Sequence, residues 1–249
     1  MSRREDQRRS LRKAAKLLIL VAAAAFSVSL LIKNRLPDKS LIIESCGKEP
    51  AQTDANLPGP FDVARKGVTY TVTPVFNYEL WGMIVSDHSA SSFLDISHKR
   101  WNDYLNTKDI CVVWGKNVES GVYKNMKFHN RDFTCFYYYP DQETGRLFDE
   151  NCLSNNHLLP ADSIVGGKIQ SARKGDQIHL KGWLVSYGIK DTPFRRMTST
   201  TRSDRGNGAC ETIFVTDFEI ARKANGDWQM MNRISLGLMV VCLAALFLL

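Results

Sequence analysis

Two uninterrupted apolar runs lie near the ends of the chain, and each predicts a transmembrane helix. Residues 17–32, with the sequence LLILVAAAAFSVSLLI, carry no charge and are flanked by Lys16 and Lys33. At about 1.5 Å per residue this run covers about 24 Å of a bilayer core about 30 Å thick, and the flanking lysines can reach the interface. Residues 228–249 extend to about 33 Å as a helix, so the second run is also long enough to span.

The residues between these runs predict a β-rich domain that follows a spacer. Residues 33–60 are polar and hold four of the eight prolines, which is typical of a spacer, and the folded part is expected at residues 61–226. Several segments there alternate apolar and polar residues with period two, as strands do. These segments read VTYTVTPVF, YELWGMIVS, DICVVWG, GVYKNMKFH, DFTCFYYYP, GGKIQSA, GDQIHLKGWLVSYG and CETIFVTDFEIA.

Little helix is expected in this domain. Residues 91–105 have the apolar spacing of one short helix. Residues 174–188 look locally like a strand of an OB-like barrel, because Gly182 in mid-strand permits sharp coiling. The expected fold class is therefore a mainly β domain, either a small barrel, which could be OB-like, or a sandwich, with one short helix and two flanking transmembrane helices.

The basic residues are concentrated at the N-terminus, so the net charge of +7 does not describe the domain between the apolar runs. The first 39 residues hold ten of the 33 Lys and Arg residues, whereas residues 40–232 carry 22 basic and 23 acidic residues. A nucleic-acid partner is therefore not expected for the domain. Residues 1–16 form a basic tail, which the positive-inside rule assigns to the cytoplasm, and the lipid bilayer is the expected partner of both chain ends.

This charge bias predicts that both termini are cytoplasmic and that the β-rich domain is extracytoplasmic. The chain has no N-x-S/T glycosylation acceptor, which favours a bacterial envelope over a glycosylating secretory route. The expected location is the bacterial inner membrane with a periplasmic domain. An alternative remains open, because RRSLRK before an alanine-rich run is similar to a twin-arginine export signal that would be cleaved near Ala25.

Five of the six cysteines lie between the apolar runs, so at most two intrachain disulfides can form there. The candidates are Cys135, Cys152 and Cys210, and a Cys135–Cys152 bridge is the favoured pairing. Zinc bound by Cys135, Cys152 and His157 would need a C-x16-C-x4-H spacing that no common zinc site uses, so no metal is expected. Walker A, G-x-G-x-x-G and HEXXH motifs are absent from the sequence, and no cofactor is expected.

A polar loop at residues 198–211, TSTTRSDRGNGACE, is the best candidate for ligand binding. Its connection between strands is longer than usual, and such loops often carry function. A calcium loop is disfavoured, since an arginine occupies a donor position. The predicted binding residues are four from this loop, Arg202, Asp204, Arg205 and Asn207, and two aromatic residues from one face of a strand, Tyr137 and Tyr139.

The sequence supports two hypotheses about function. The leading hypothesis is a membrane-anchored envelope protein, without catalytic residues, whose β-rich domain binds a protein or cell-envelope ligand within a membrane complex. The alternative is a hydrolase-like extracytoplasmic enzyme with a site near His157 and the loop from Asp204 to Cys210. In that case the nucleophile is Cys210 or Ser199, the base is one of three histidines, and an aspartate orients the base. The histidines are His157, His98 and His88, and the aspartates are Asp204 and Asp103.

Overall fold

The computed structural model describes residues 3–92, 95–131, 133–206 and 208–248. The chain forms two compact units, one from Met1–Arg35 with Ala224–Leu249 and the other from Leu36–Lys223. The strands of the second unit are β1 (Ala51–Thr53), β2 (Phe61–Arg65), β3 (Val68–His88), β4 (Lys108–Val113), β5 (Lys127–Arg131), β6 (Thr134–Tyr138), β7 (Leu153–Pro160), β8 (Gln177–Ile189), β9 (Arg195–Arg196) and β10 (Glu211–Arg222). The helices of the described residues are α1 (Arg3–Ile32), α2 (Ser97–Arg100), α3 (Lys116–Ser120), α4 (Gln142–Leu147), α5 (Ser163–Ser171) and α6 (Gly226–Leu248).

The first unit consists of α1 and α6, which are long and apolar enough to cross a membrane. Only 17% of the most apolar window of each helix is buried, which is unlike the core helix of a soluble protein. The two helices are joined by polar contacts, because Lys33 donates to Asn232 Oδ1 at 2.8 Å and Asn232 donates to Ser29 Oγ at 2.9 Å. These features agree with membrane association.

Five strands of the second unit pair in a closed order, which we call the sheet ring. β3 pairs with β4, β4 with β7, β7 in parallel with β10, β10 with β8, and β8 again with β3. The ring is not the small barrel that the sequence predicts. β3 has 21 residues, so it extends beyond the ring and there pairs with β2, while β8 extends to pair with β9. The domain is a mixed, sheet-rich unit, and it holds more than the one predicted short helix.

Apolar residues cover both faces of β4, so the sheet is packed on two sides. Ile110 and Val112 belong to a core that also contains Leu80, Leu158 and Ile213. The intervening residues of β4 point to the other face, as period two requires, and join a second cluster. Packing on both faces agrees with the sandwich alternative of the predicted fold.

The segment predicted as a spacer folds onto this second cluster. Cys46 is fully buried there, and Ile42 and Ile43 pack beside it. The Gln177 side chain accepts from the Ile43 amide at 2.6 Å and donates to the Leu41 carbonyl at 2.9 Å. Ile42, Ile43 and Cys46 pack against the sheet, and this outweighs the polar and proline-rich composition of residues 33–60.

Candidate functional site

Three neighbouring strands place a row of polar side chains on one face of the sheet. Asp109 of β4 is paired in register with His157 of β7, and His157 with Thr212 of β10. Because neighbouring residues across strands point to the same face, these side chains form a row across the sheet. All three are buried. The opposite face of the same strands carries the apolar core.

A second row lies one step along the same strands. Cys111 of β4 is paired with Asn155 of β7, and Cys210 immediately precedes β10 at the same level. Asn155 Nδ2 lies 3.4 Å from Cys210 Sγ and donates to the Phe133 carbonyl at 3.0 Å. Cys210 is half-buried and its thiol is free. The second row therefore places a thiol beside the histidine of the first.

The Asp109 carboxylate and the His157 imidazole form a buried pair. Their Oδ1 and Nδ1 atoms are 2.7 Å apart, and Asp109 also accepts from Asn106 Nδ2 at 2.7 Å. Burial by itself would lower the pKa of His157, but the Asp109 charge and its hydrogen bond to the ring, with a smaller contribution from Cys210, outweigh it and raise that pKa. The same pairing keeps the pKa of Asp109 low despite its burial.

The order of groups is therefore Asp109, His157 and Cys210. Asp109 holds Nδ1 of the ring, and the Cys210 thiol lies one level along the strands, where it donates to the Phe133 carbonyl at 3.6 Å. In cysteine and serine nucleophile sites, a carboxylate orients an imidazole and the imidazole takes the proton of the nucleophile. The arrangement has the parts needed for nucleophilic catalysis by a thiol.

Cys210 and His157 line a cavity of about 600 Å³. The cavity wall also contains Phe133, Arg196 and Arg202. A cavity of this volume is in the usual range for small-molecule or peptide-segment sites. The thiol is thus open to a ligand, whereas Asp109 lies behind the histidine.

Arg196 brings positive charge to the imidazole from the cavity side. Its Nη1 atom lies 3.5 Å from His157 Nε2, and its guanidinium stacks 4.1 Å from the centre of the Phe133 ring. Asp103 lies 3.8 Å from the guanidinium, is buried, and accepts from Tyr187 at 2.7 Å. Arg196 is therefore held at the cavity wall by an aromatic ring and a fixed carboxylate.

The predicted binding residues mostly lie on the same cavity, but their side chains are engaged with other protein groups. Arg202 pairs with Glu211 at 3.1 Å, and Arg205 pairs with Glu150 at 2.9 Å. Asp204 accepts from Ser199 at 2.8 Å and from Thr201 at 2.6 Å. Asp204 therefore folds its own loop and does not orient a histidine.

The two aromatic predictions have different positions. Tyr137 lines the cavity and donates to Glu150 at 2.5 Å. Tyr139 follows β6, is 52% exposed, and is not part of the cavity wall in the portion of the chain that is described. Asn207 lies outside the described residues.

The disulfide prediction is wrong in its pairing. Cys135 is bonded to Cys111, with a Cα–Cα distance of 5.9 Å, whereas the thiols of Cys152 and Cys210 are free. The reason is that the β5–β6 hairpin carries Cys135 to the β4 face that bears Cys111, while Cys152 packs in the opposite core. The Cys111–Cys135 disulfide lies next to the cavity, since Cys135 also lines it.

The sequence reading missed Asp109, Asn106, Asn155 and Arg196. A signal was present in the strands themselves, because DICVV and SNNHLL place polar residues inside otherwise apolar strands. Polar residues in a buried strand need partners, although they do not say which strands are neighbours. That information comes only from the pairing of β4, β7 and β10.

Comparison with known proteins adds no relative: no family model, no curated protein and no solved structure matches this chain.

Proposed function

We propose that this protein is a membrane-anchored thiol enzyme that transfers or hydrolyses an acyl group at Cys210. The observation that carries the proposal is the buried Asp109–His157 pair together with the half-buried free thiol of Cys210, which lines the same cavity as His157. The raised pKa of His157 supports it, because an imidazolium beside a thiol favours the thiolate, which is the nucleophilic form. The catalytic alternative of the sequence analysis is thereby preferred over binding alone.

The chemical step uses the residues in fixed roles. In the reactive state His157 holds the proton and Cys210 is the thiolate, which attacks a carbonyl carbon of the substrate to form a C–S bond and a tetrahedral oxyanion. When that intermediate collapses, the bond to the leaving group breaks and protonated His157 returns its proton to the leaving atom. His157 then takes the proton of water, or of a hydroxyl or amine of an acceptor, which attacks the thioester. The C–S bond breaks, the acyl group leaves on the attacking atom, and the Cys210 thiolate is regenerated.

Arg196 is proposed to stabilise the oxyanion and to favour anionic substrates. Its guanidinium faces the cavity next to the imidazole, and charge-assisted donors at a developing oxyanion contribute strongly to catalysis. Arg202 and Arg205 contact Glu211 and Glu150 at 3.1 and 2.9 Å, whereas Arg196 lies 3.5 Å from the imidazole, so Arg196 is the better candidate for the substrate. The expected substrate is a protein or cell-envelope molecule that carries an acyl bond near a negative charge.

The proposed location is the bacterial inner membrane, with both termini in the cytoplasm and the sheet-rich unit in the periplasm. Support comes from the two apolar helices and from the basic residues of the N-terminal tail. A periplasmic position also suits the Cys111–Cys135 disulfide, because disulfides persist in oxidising compartments. Reporter fusions at both ends, one active only in the cytoplasm and one only in the periplasm, test this topology.

The test of the catalytic proposal is ester turnover by the full chain purified in detergent. With p-nitrophenyl acetate as the probe, we expect release of nitrophenol and a transient gain of one acetyl group on Cys210 by mass spectrometry. Cys210→Ser should abolish both signals, and His157→Asn should reduce turnover by about 10² to 10⁴-fold.

Cys152→Ala is the matched control, since Cys152 is another free cysteine of the same unit. It should keep the turnover of the wild type. Acetylation that is spread over several cysteines, or turnover that persists in Cys210→Ser, would refute the catalytic role and return the protein to the binding-only hypothesis.

A further inference from the structure

A second histidine and carboxylate cluster lies outside the proposed active site. It consists of His88 at the end of β3, Asp95, and His98 in α2. His88 Nε2 lies 2.7 Å from Asp95 Oδ2, and His98 Nδ1 lies 2.9 Å from the same oxygen. The three ligand atoms are all within 4.8 Å of one another. Two imidazole nitrogens and one carboxylate oxygen therefore converge on one point.

Two members of this cluster are held rigidly, and the third reaches the surface. Asp95 is 3% exposed and His98 is 1% exposed, and the Asp95 Oδ1 atom accepts from the His98 amide at 2.8 Å. The His88 side chain is 24% exposed. Such a site is preorganised at Asp95 and His98 and open at His88, so that an ion can enter from the side of His88.

We infer that His88, Asp95 and His98 bind a divalent transition metal, with Zn²⁺ as the preferred ion. Imidazole nitrogen and carboxylate oxygen are common zinc ligands, at bond lengths of about 2.0 to 2.2 Å. Tetrahedral geometry at these lengths separates the ligand atoms by about 3.3 Å. The two N···O distances of 2.7 and 2.9 Å therefore need to widen by only about half an ångström, which follows from that geometry.

The fourth coordination position is expected on the solvent side of His88. His88 lines a shallow surface cavity together with Asn130, Arg131, Thr134 and Phe136. A water molecule or an anionic group near Arg131 can complete the coordination there. Three protein ligands with one open position are typical of exchangeable or catalytic zinc, whereas structural zinc is usually closed by four protein ligands.

Metal binding has a cost at Asn106, which connects this cluster to the proposed active site. Asn106 Nδ2 lies 3.1 Å from His98 Nε2, so in the metal-free state Nε2 accepts and Nδ1 carries the proton. Zinc at Nδ1 moves that proton to Nε2, and the Asn106 amide must then turn. Its Oδ1 atom is buried without a hydrogen-bond partner among the described residues, so after the turn this oxygen can accept from the protonated Nε2 of His98.

The test is metal titration of the EDTA-treated full chain in detergent. We expect one Zn²⁺ per chain by calorimetry and a rise in the thermal midpoint of unfolding. Titration with Co²⁺ should give the visible absorption of a tetrahedral site without sulfur-to-metal charge transfer. Charge-transfer bands would show that cysteines bind the ion, and would overturn the inference, as would the absence of binding.

Variants assign the ligands. Asp95→Asn and His88→Gln should each weaken zinc affinity by at least about 100-fold, because loss of outer-shell partners alone costs about 10 to 100-fold. His88→Gln is the safer variant for folding, since His88 is the most exposed of the three. His129→Asn is the control, because His129 stacks on Phe136 and Tyr138 outside the cluster. Unchanged affinity in His88→Gln would refute the assignment.

Discussion

The two faces of strands β4, β7 and β10 differ in what they bury. One face carries Ile110, Leu158 and Ile213 and forms an ordinary apolar core. The other face carries Asp109 and His157, which are as deeply buried but form an ion pair. Burying a charged pair costs several kcal/mol per ion before their attraction repays it. An apolar pair of the same volume would be buried at a lower cost in free energy. The polar face is therefore the better candidate for function.

The comparison shows that burial alone does not distinguish a core from a site. Both faces exclude water, but the polar face ends at a cavity where a half-buried free thiol and a histidine lie on the same wall. A histidine whose pKa is raised by a carboxylate and which borders a cavity is a functional candidate on physical grounds. Substitutions on the two faces should therefore differ in their effects on stability and on ester turnover.

The largest effect is expected from Asp109→Asn compared with Leu158→Ala. Asp109→Asn leaves His157 without its charge partner and should cost about 3 to 5 kcal/mol of unfolding free energy, while Leu158→Ala creates a cavity that costs about 2 to 5 kcal/mol. Only Asp109→Asn should also lower ester turnover, by about 10² to 10⁴-fold under conditions where both variants are folded. Equal losses of turnover in the two variants would remove the distinction between the faces.

Removal of the Cys111–Cys135 disulfide tests what holds the polar face together. The bridge closes a loop with a sequence separation of 24, so its loss should cost about 3 kcal/mol by loop entropy. The measurement is chemical unfolding of the Cys111→Ser, Cys135→Ser double variant. Added dithiothreitol should destabilise the wild type and leave the double variant unchanged. If reductant has no effect on the wild type, the bridge does not form in solution.

Glu211 is a buried polar residue on the apolar face, as are Lys108 and Asn156, and its pH dependence sharpens the comparison. Burial raises the pKa of Glu211 from 4.5 to about 7, and its Oε2 atom has no hydrogen-bond partner among the described residues. Folding thus favours the protonated form, so stability is fully present below about pH 4.5 and is lost as pH rises through about 7.

Glu211→Gln mimics the protonated side chain and should remove this loss. Its unfolding free energy should match the wild type at pH 5 or below and exceed it at pH 8 by up to about 3 kcal/mol. Denaturant titrations at the two pH values measure the difference. A variant that is less stable than the wild type at pH 8 would mean that the charged Glu211–Arg202 pair outweighs the cost of burial.

The smallest effect is expected at the rim of the cavity. Arg205 and Glu150 pair at 2.9 Å with both side chains nearly half exposed. Arg205→Ala should therefore cost no more than about 1 kcal/mol in unfolding free energy and leave ester turnover nearly unchanged. A large loss of turnover with intact stability would move the substrate contact from Arg196 to Arg205.

Sequence reasoning predicted the local features that depend on periodicity and composition. The apolar terminal helices and the sheet-rich middle follow from runs and alternation, and they are confirmed as structural elements. Long-range features were not accessible in this way. The pairing of β4 with β7 brings Asp109 to His157 across 48 positions, and the hairpin of β5 and β6 selects Cys111 as the partner of Cys135.

The polar loop illustrates the same limit. Its residues Arg202, Asp204 and Arg205 were predicted as a ligand surface, and they line the cavity. However, each is bound to another protein group, and no local pattern reveals those partners. The residue of this loop that the proposed chemistry needs is Cys210, which was predicted as a disulfide candidate and as the alternative nucleophile.

The most direct test of the central claim is the rate at which iodoacetamide alkylates Cys210 at pH 7. The measurement is peptide mass spectrometry of the wild type and of His157→Asn, with Cys152 in the same samples as the internal reference. The Asp109, His157 and Cys210 arrangement predicts that Cys210 reacts faster than Cys152 in the wild type and at least about tenfold more slowly in the variant. Equal rates for Cys210 in the two proteins would contradict activation of the thiol by His157.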